Sequence, residues 1–182
     1  MAKYKVGVKG TMPLLFHRFH GIEESKRMSK LPQADKLKKL LYYVNDDENE
    51  NLAASGEWFR NCIIGGFVFV GGAREKKKIQ HEVAAQIRIP VKCDFIDLGT
   101  KTFDIDKRTA PAPGGKMRDM CVRPRLDDWS CEFELESLLD VFGYKDSFVE
   151  DVVRKSGVYV GIGSNRKYGF GRFEVVKFEK IS

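Results

Sequence analysis

The sequence of 182 residues has few of the side chains that build metal centres and disulfide frameworks. It has four cysteines and three histidines, and the cysteines (Cys62, Cys93, Cys121 and Cys131) form no CxxC pair. Zinc sites usually take their ligands in close couples. We therefore expect no metal site and no cofactor, and we interpret the four cysteines as reduced, buried thiols.

Long apolar runs are also missing. No stretch reaches the roughly 18–20 apolar residues that a membrane-spanning helix needs. The first residues alternate in polarity and lack the apolar core of a signal peptide. There are no internal repeats and no low-complexity tail. With 42% hydrophobic residues the chain has enough apolar side chains to form a core. We therefore predict one domain over residues 1–182. Because the sequence has neither a membrane span nor a signal peptide, we expect this domain to be cytoplasmic and to have no membrane partner.

Charge is in excess on the basic side and is unevenly placed. The formal net charge is +6. Residues 26–39 and 101–126 are rich in lysine and arginine, whereas residues 45–50 are acidic. A local excess of positive charge favours a polyanionic partner.

Polarity patterns predict the order of the elements. Alternation over residues 3–15, 86–98, 129–135 and from Phe173 onward indicates half-buried strands. Apolar stripes at helical spacing indicate three helices, over residues 26–44, after Ser55 as N-cap, and over residues 148–160. Residues 101–125 are basic and turn-rich around Pro111–Gly115, which suggests a protruding hairpin.

Reduced to its core, this order is βαββαβ. The predicted fold is therefore an α+β, ferredoxin-like or RRM-like sandwich, with two helices on one face of a four-stranded antiparallel sheet. The charged helical segment at about residues 20–52 and the hairpin at about residues 100–126 are insertions in it.

The most informative segment is a glycine-rich loop over residues 161–171. Gly161-Ile162-Gly163 and Gly169-Phe170-Gly171 bracket five residues that include Arg166 and Lys167. Glycine lets a backbone pass close to a ligand, and backbone N–H groups beside two cations make a phosphate cradle. No Walker-type lysine-serine pair or dinucleotide-type acidic partner accompanies the loop, so we interpret it as contacting a nucleic-acid backbone rather than a nucleotide. The alternative is a tight helix-to-strand turn with solvated cations.

This loop resembles the glycine-rich signature of the RAMP superfamily, the RRM-like proteins of CRISPR systems. That signature is Gly-hydrophobe-Gly, about five residues with at least one Lys or Arg, and then Gly-x-Gly before the last core strand. The sequence matches at every glycine and at the basic position. The motif covers about 13 residues directly, and the element order extends the likeness over most of the chain.

Within that superfamily, one RRM-like domain with a thumb-like hairpin is most similar to the backbone subunits of CRISPR effector complexes. The resemblance implies a protein of antiviral defence that oligomerises along single-stranded RNA or DNA, as a homo-oligomer or filament or beside other effector subunits. A phage or mobile-element relative fits equally, on residues 13–19 and 123–129. No motif matches the acidic catalytic loop of the target-cleaving subunits.

The candidate nucleic-acid contacts fall in three regions. They are Gly161, Gly163, Asn165, Arg166, Lys167, Gly169 and Gly171 in the loop; Arg108, Lys116, Arg118, Arg123 and Arg125 in the hairpin region; and His17 and Arg18 near the N-terminus. For the hairpin the alternative is a solvated charged loop. For Arg123 and Arg125 it is ion pairing with Asp127 or Asp128.

The segment 16–20, Phe-His-Arg-Phe-His, allows three interpretations. Its aromatic and basic side chains can stack on bases and bind phosphates. Phe16 and Phe19 can instead be core residues with surface histidines between them. As a third interpretation, His17 and His20 act as general acid and base of a metal-independent endoribonuclease of the CRISPR RNA-processing type.

We expect no enzyme, because no convincing catalytic set is visible. The endoribonuclease is the second hypothesis, and a protein–protein module that acts on a nucleic-acid complex is the third.

Overall fold

The computed structural model describes residues 1–70, 86–90, 94–111 and 118–182, with the backbone alone at residues 110, 111, 118 and 119. Within these residues nine strands are present: β1 (Ala2–Gly10), β2 (Leu14–Leu15), β3 (Ala53–Ser55), β4 (Ile87–Arg88), β5 (Phe95–Asp97), β6 (Asp104–Pro111), β7 (Arg118–Leu126), β8 (Ser130–Ser137) and β9 (Phe173–Lys180). The α-helices there are α1 (Ile22–Met28), α2 (Gln33–Lys39), α3 (Gly56–Gly66) and α4 (Asp146–Tyr159).

The largest sheet has the order β4-β8-β1-β9, and each neighbouring pair is antiparallel. Along the chain its strands and the two longer helices follow the order β1, α3, β4, β8, α4, β9. The predicted α+β class with an antiparallel sheet is confirmed.

Alternation places one face of this sheet in the core. Tyr4, Val6 and Val8 of β1 are buried, while Lys3, Lys5 and Lys9 lie on the other face. Their neighbours across β8 are Leu135, Phe133 and Cys131. Phe59 of α3 packs on Phe133 with ring centroids 4.4 Å apart. Burial of these side chains holds α3 and α4 on the inner face of the sheet.

The predicted single helix over residues 26–44 is wrong. Two short helices, α1 and α2, replace it, and the chain breaks at Leu31-Pro32 between them. Proline lacks an N–H and disfavours helical geometry in the residue before it, so it begins α2 instead of continuing α1.

The predicted strand over residues 86–98 is also wrong as one element. It is divided into β4, which pairs with β8, and β5, which pairs with β3. Pro90 follows β4 closely, and a proline has no N–H to donate to a ladder. Residues 91–93, with Cys93, lie outside the described residues.

The predicted hairpin is confirmed for its two arms. β6 pairs with β7 from Asp104↔Arg125 to Pro111↔Arg118. Leu14 and Leu15 of β2 add a third strand on the β7 side. The tip, residues 112–117, lies outside the described residues.

The thiols agree with the expectation of reduced cysteines where they are described. Cys62 and Cys131 are buried and Cys121 is half-buried, all as free thiols. Burial raises the pKa of Cys62 to about 12, so this thiol is protonated at neutral pH. In the described part of the chain no helix is both long and apolar enough to span a bilayer.

The contact between α3 and α4 depends on Gly66. A Cβ there would lie 1.8 Å from Ser156 Oγ and 3.0 Å from Ser156 Cα. The Ser156 hydroxyl is fixed because it donates to the Val152 carbonyl at 2.6 Å. The two helices therefore meet with only a hydrogen atom between them at this point.

We expect Gly66→Ala to destabilise the fold by about 1–3 kcal/mol, the usual effect of overpacking a core. In a helix without such a neighbour, Gly→Ala stabilises by up to about 1 kcal/mol, so the sign of the change is informative. Urea unfolding would measure it. Gly21→Ala is the control, since nothing lies within 4 Å of that position. A Gly66→Ala protein at least as stable as Gly21→Ala would contradict the close contact.

Candidate nucleic-acid interface

The glycine loop, residues 161–171, closes on itself at its base. Ile162 N–H donates to the Gly171 carbonyl at 2.9 Å, and Gly161 N–H donates to the Ser156 carbonyl at the end of α4 at 3.0 Å. Gly161 and Gly171 both have positive φ, 73° and 68°. A Cβ on Gly171 would lie 1.9 Å from the Ile162 carbonyl oxygen. These two glycines are therefore required to close the loop, whatever it binds.

The loop is also bound to the chain that follows β1. Gly171 N–H donates to the Pro13 carbonyl at 2.8 Å, and Ser164 N–H donates to the Leu15 carbonyl at 2.9 Å. A Cβ on Gly163 would lie 2.7 Å from that Leu15 oxygen. On its other edge the same segment joins the hairpin, because Phe16 N–H donates to the Pro124 carbonyl at 3.0 Å. Residues 13–16 thus connect the glycine loop to β7.

The apex of the loop points its cations into solvent. Asn165 is in the left-handed conformation, and Arg166–Tyr168 form a 3-10 turn. Arg166, Lys167 and Tyr168 are exposed. Among the described residues the N–H groups of Asn165, Arg166 and Lys167 donate no hydrogen bond, in contrast to those of Gly161, Gly169 and Gly171. Successive free N–H groups beside two cations form an anion-binding concavity.

Arg108 joins the hairpin to the loop. Its guanidinium carbon lies 4.4 Å from the centre of the Phe170 ring, in cation–π contact. The same guanidinium donates two hydrogen bonds to the carboxylate of Asp106. Arg108, a candidate phosphate contact from the sequence, therefore already has an anionic and an aromatic partner within the protein.

Asp106 is the charged centre of this face of the hairpin. It is 6% exposed, and Arg125 Nη1 lies 3.9 Å from its Oδ2. The hydrogen bond from Arg108 is the main cause that lowers the pKa of Asp106, with the charges of Arg125 and Arg123 adding to it. Arg125 also donates to Asp127, as the ion-pairing alternative predicted for this residue.

Sequence reasoning did not identify Asp106 as a site residue, although the alternation of charged residues along the hairpin is a signal for it. In a two-stranded ribbon every second residue shares a face, so Asp104, Asp106 and Arg108 lie opposite Arg125, Arg123 and Cys121. That pattern becomes visible only when the register is known.

Arg123 is half-buried and lies across from Asp106. Its Nε and Nη1 atoms are buried and have no hydrogen-bond partner in the described part of the chain. A buried donor without a partner costs free energy. Arg123 is therefore the hairpin arginine that an anion would satisfy most directly.

The side chains of residues 16–20 have different surroundings. Phe16 is fully buried, whereas Phe19 is 85% exposed. Arg18 donates to both carboxylate oxygens of Asp46, one at 3.1 Å, and its guanidinium lies 5.1 Å from the Tyr42 ring centre. Arg18 is thus engaged in holding the segment 20–52 to the core.

The two histidines have different surroundings. His20 Nε2 donates to the Lys39 carbonyl at 2.6 Å. His17 is exposed, and partial desolvation, followed by the nearby charges of Arg123 and His20, lowers the pKa of its ring. His17 is therefore neutral at pH 7.

The remaining candidates in the hairpin are only partly placed. Arg118 begins β7 and is described by its backbone, and Lys116 lies outside the described residues. In the described chain no group of three or more His, Cys, Asp or Glu side chains could hold a metal ion.

The outer face of the large sheet is covered by ion pairs. Lys3 lies 2.8 Å from Glu136, Lys5 lies 2.9 Å from Glu132, and Lys177 lies 3.8 Å from Glu132. RNA-binding sheets of the RRM kind instead present aromatic rings that stack on bases. Because these cations already have anionic partners, we place the candidate interface at the glycine loop and hairpin rather than on this face.

No family model matches the sequence, and no curated protein matches it. Solved structures do match. A chain of the cryo-EM structure of Type III-B Cmr-beta bound to cognate target RNA is 10% identical, with a TM-score of 0.54. The match covers 100% of this chain and 61% of that one, so the present chain spans about three fifths of its length.

Two further structures have lower scores. Cmr6 from Pyrococcus furiosus is 7% identical over 95% of this chain and 97% of that chain, with a TM-score of 0.49. Cas6 in a product complex is 8% identical over 94% of this chain and 51% of that chain, with a TM-score of 0.33. At such identities the likeness is one of fold.

We predict that Asp106→Asn destabilises the fold at pH 7 by about 1–3 kcal/mol, because the neutral amide leaves Arg108 without its charged acceptor. The folded pKa of Asp106 is lowered, so its contribution is present above the unfolded value of about 3.9 and is lost as pH falls through the folded value. The difference between the two proteins should therefore narrow below about pH 4.

Urea unfolding from pH 7 to pH 3 would measure this difference. Asp104→Asn is the matched control, since Asp104 lies on the same face of β6 but is exposed. Equal stability of the two variants at pH 7 would show that Asp106 does not hold the hairpin.

Proposed function

We propose that the protein binds single-stranded nucleic acid through its backbone, without base specificity, and assembles along the strand as a RAMP-type relative of CRISPR effector backbone subunits. The observation that carries this proposal is the apex of the glycine loop. At this apex, two exposed cations lie beside three successive N–H groups that donate no hydrogen bond. The backbone hydrogen bonds that close the loop hold this surface in place.

Charge placement supports the same site. Lys3 and Lys5 on the outer sheet face have carboxylate partners, and so do Arg108 and Arg125 beside Asp106. Arg166 and Lys167 have no ion-pair partner in the described residues, and Arg123 has buried N–H groups without an acceptor. Phosphates would satisfy these donors, and binding through phosphates carries no base specificity.

The likeness of fold to a chain of an RNA-bound Cmr complex agrees with RNA as the ligand and with partners of the same kind. The choice of RNA over single-stranded DNA is itself a proposal, because both ligands offer the same phosphates. That the protein is a phage or mobile-element relative of these subunits is also a proposal.

The main test removes the two apex cations together, as Arg166→Ala with Lys167→Ala. We expect weaker binding to an oligouridine and a less steep dependence of log K on log salt. On single strands each lost phosphate contact lowers that slope by about 0.7, so the double variant should lose about 1.4. Fluorescence anisotropy at several salt concentrations would measure both.

The control is Lys5→Ala with Lys177→Ala, which removes two positive charges from the outer sheet face. It changes the net charge equally but should leave the slope as in the wild type. If the apex variant kept the wild-type affinity and slope, the proposed site would be wrong.

The endoribonuclease remains the second hypothesis, and the histidine environments argue against it. A general acid must be protonated, and the pKa of His17 is lowered. The Nε2 of His20 is occupied by the Lys39 carbonyl. The third hypothesis, a protein–protein module, predicts purified protein free of bound nucleic acid.

We therefore expect structured repeat RNA to stay intact when it is incubated with the wild-type protein in EDTA. Gel electrophoresis of end-labelled RNA would show this, with His17→Ala and His20→Ala run in parallel. Cleavage by the wild type that is lost in either variant would establish the enzyme and overturn the non-enzymatic proposal.

A further inference from the structure

The apex of the glycine loop carries an aromatic ring to which the phosphate contacts give no role. Tyr168 follows Arg166 and Lys167 directly and is 72% exposed. In the described part of the chain its ring contacts no other ring and no cation, and its hydroxyl makes no hydrogen bond. Single exposed apolar residues are common on protein surfaces, so exposure alone indicates nothing. The position of Tyr168 beside the free N–H groups of the apex is what points to a ligand.

The other five tyrosines of the sequence all have surroundings within the protein. Tyr4 and Tyr43 are buried in the core. The remaining three pack on other rings: Tyr42 on Trp58, Tyr144 on Phe148 and Tyr159 on Phe69. The second aromatic residue of the loop, Phe170, is in contact with Arg108. Tyr168 is thus the one tyrosine whose ring is neither buried nor packed on another ring in the described structure.

The turn that carries Tyr168 is held by its own backbone. Tyr168 N–H donates to the Asn165 carbonyl at 2.9 Å, and Gly169 N–H donates to the Arg166 carbonyl at 3.0 Å. A 3-10 turn rises about 2 Å per residue, so the ring and both cations lie within one turn. In helical turns the Cα–Cβ bonds tilt toward the N-terminal end, which is here the end of the three free N–H groups. A strand that brings a phosphate to these groups therefore brings a base near the ring.

Phosphate contacts alone would accept any chain of phosphates. An aromatic ring adds a contact that only a ligand with bases can make. Stacking on an aromatic side chain tolerates every base, because each base has a π-face. The contact therefore selects a class of ligand without reading its sequence. In a duplex the neighbouring base pairs cover these faces, so the ring needs an unpaired base.

We propose that Tyr168 stacks on one unpaired base of the bound strand, and that this contact makes the loop apex prefer a single strand with bases to a bare phosphate chain and to a duplex. Tyr168 is then a specificity-determining residue, whereas Arg166 and Lys167 supply the attraction to phosphate. The inference rests on the proposed function, because the apex must bind a strand before the ring can stack on a base.

Replacement of the ring tests the contact directly. Tyr168→Ala should weaken the binding of oligouridine about 5- to 150-fold, the factor that corresponds to about 1–3 kcal/mol for one stacked base. The dependence of log K on log salt should keep its wild-type slope, because stacking releases no counterion. Tyr168→Phe keeps the ring and should bind as the wild type does. Fluorescence anisotropy at several salt concentrations would measure all of this.

Phe142→Ala is the matched control. Like Tyr168, Phe142 is the last residue of a 3-10 turn, and it is 62% exposed. Its turn follows the end of β8 that pairs with Ala2, whereas the glycine loop leads into the end of β9 that pairs with Gly10. The two rings thus lie at opposite ends of the large sheet, and Phe142→Ala should bind oligouridine as the wild type does.

A strand without bases gives the sharper experiment. The probes are an oligouridine and a chain of the same length with an abasic residue in place of each uridine, both made in ribose and in deoxyribose form. The wild type should prefer oligouridine to the abasic chain by at least the factor that Tyr168→Ala loses on oligouridine. On the abasic chain, and on a duplex, the wild type and Tyr168→Ala should bind alike.

Three results would overturn the stacking contact. They are wild-type affinity of Tyr168→Ala for oligouridine, an equal loss of affinity on the abasic chain, and binding by Tyr168→Phe as weak as by Tyr168→Ala. The proposed function survives these results if the wild type binds oligouridine and the Arg166→Ala, Lys167→Ala protein binds it more weakly and with a lower salt slope. A wild type that binds none of the probes would refute the proposed function and the stacking contact together.

Discussion

The arrangement of the candidate interface depends on the backbone hydrogen bonds of residues 13–16. This segment has two edges, and both are used. Carbonyls of Pro13 and Leu15 accept from the glycine loop, and β2 with Phe16 pairs with β7 on the other side. Leu14, Leu15 and Phe16 are fully buried, so the segment is anchored by its side chains as well. The loop and the hairpin come from distant parts of the sequence, and these few residues fix their position relative to each other.

Ion pairing decides which cations of this basic protein can serve a ligand. A carboxylate partner within 3 Å already supplies the favourable charge that a phosphate would bring, as for Lys3 and Lys5. Arg108 and Arg125 are held in the same way by Asp106, although Asp106 is only one charge against three arginines. Net charge alone would assign all these cations to a polyanion. Among the candidate contacts, the pairing leaves Arg123, Arg166 and Lys167 without a carboxylate partner in the described residues.

The sequence predicted the elements whose own pattern decides their structure. Strands β1, β8 and β9 alternate over eight or nine residues, and the glycine loop is defined by its spacing alone. The helix over residues 26–44 failed because Pro32 outweighs the leucine stripe, and the strand over residues 86–98 failed at Pro90. Contacts between residues that are distant in sequence could not be predicted from local patterns. Asp46 lies 28 residues from Arg18, and the face shared by Asp106 and Arg123 depends on the register across the hairpin tip.

Alternation along the hairpin decides which of its side chains meet the glycine loop. Asp106 and Arg108 share one face of β6, and Arg123 lies across from Asp106 on β7. From this face Arg108 reaches Phe170 of the glycine loop. Because Asp106 and Arg108 are two residues apart on one strand, their pair forms in any register of the ribbon. The contact that crosses the ribbon is that of Arg125 Nη1 with Asp106 Oδ2 at 3.9 Å, and a shift of register by one residue would turn Arg125 to the other face and break it.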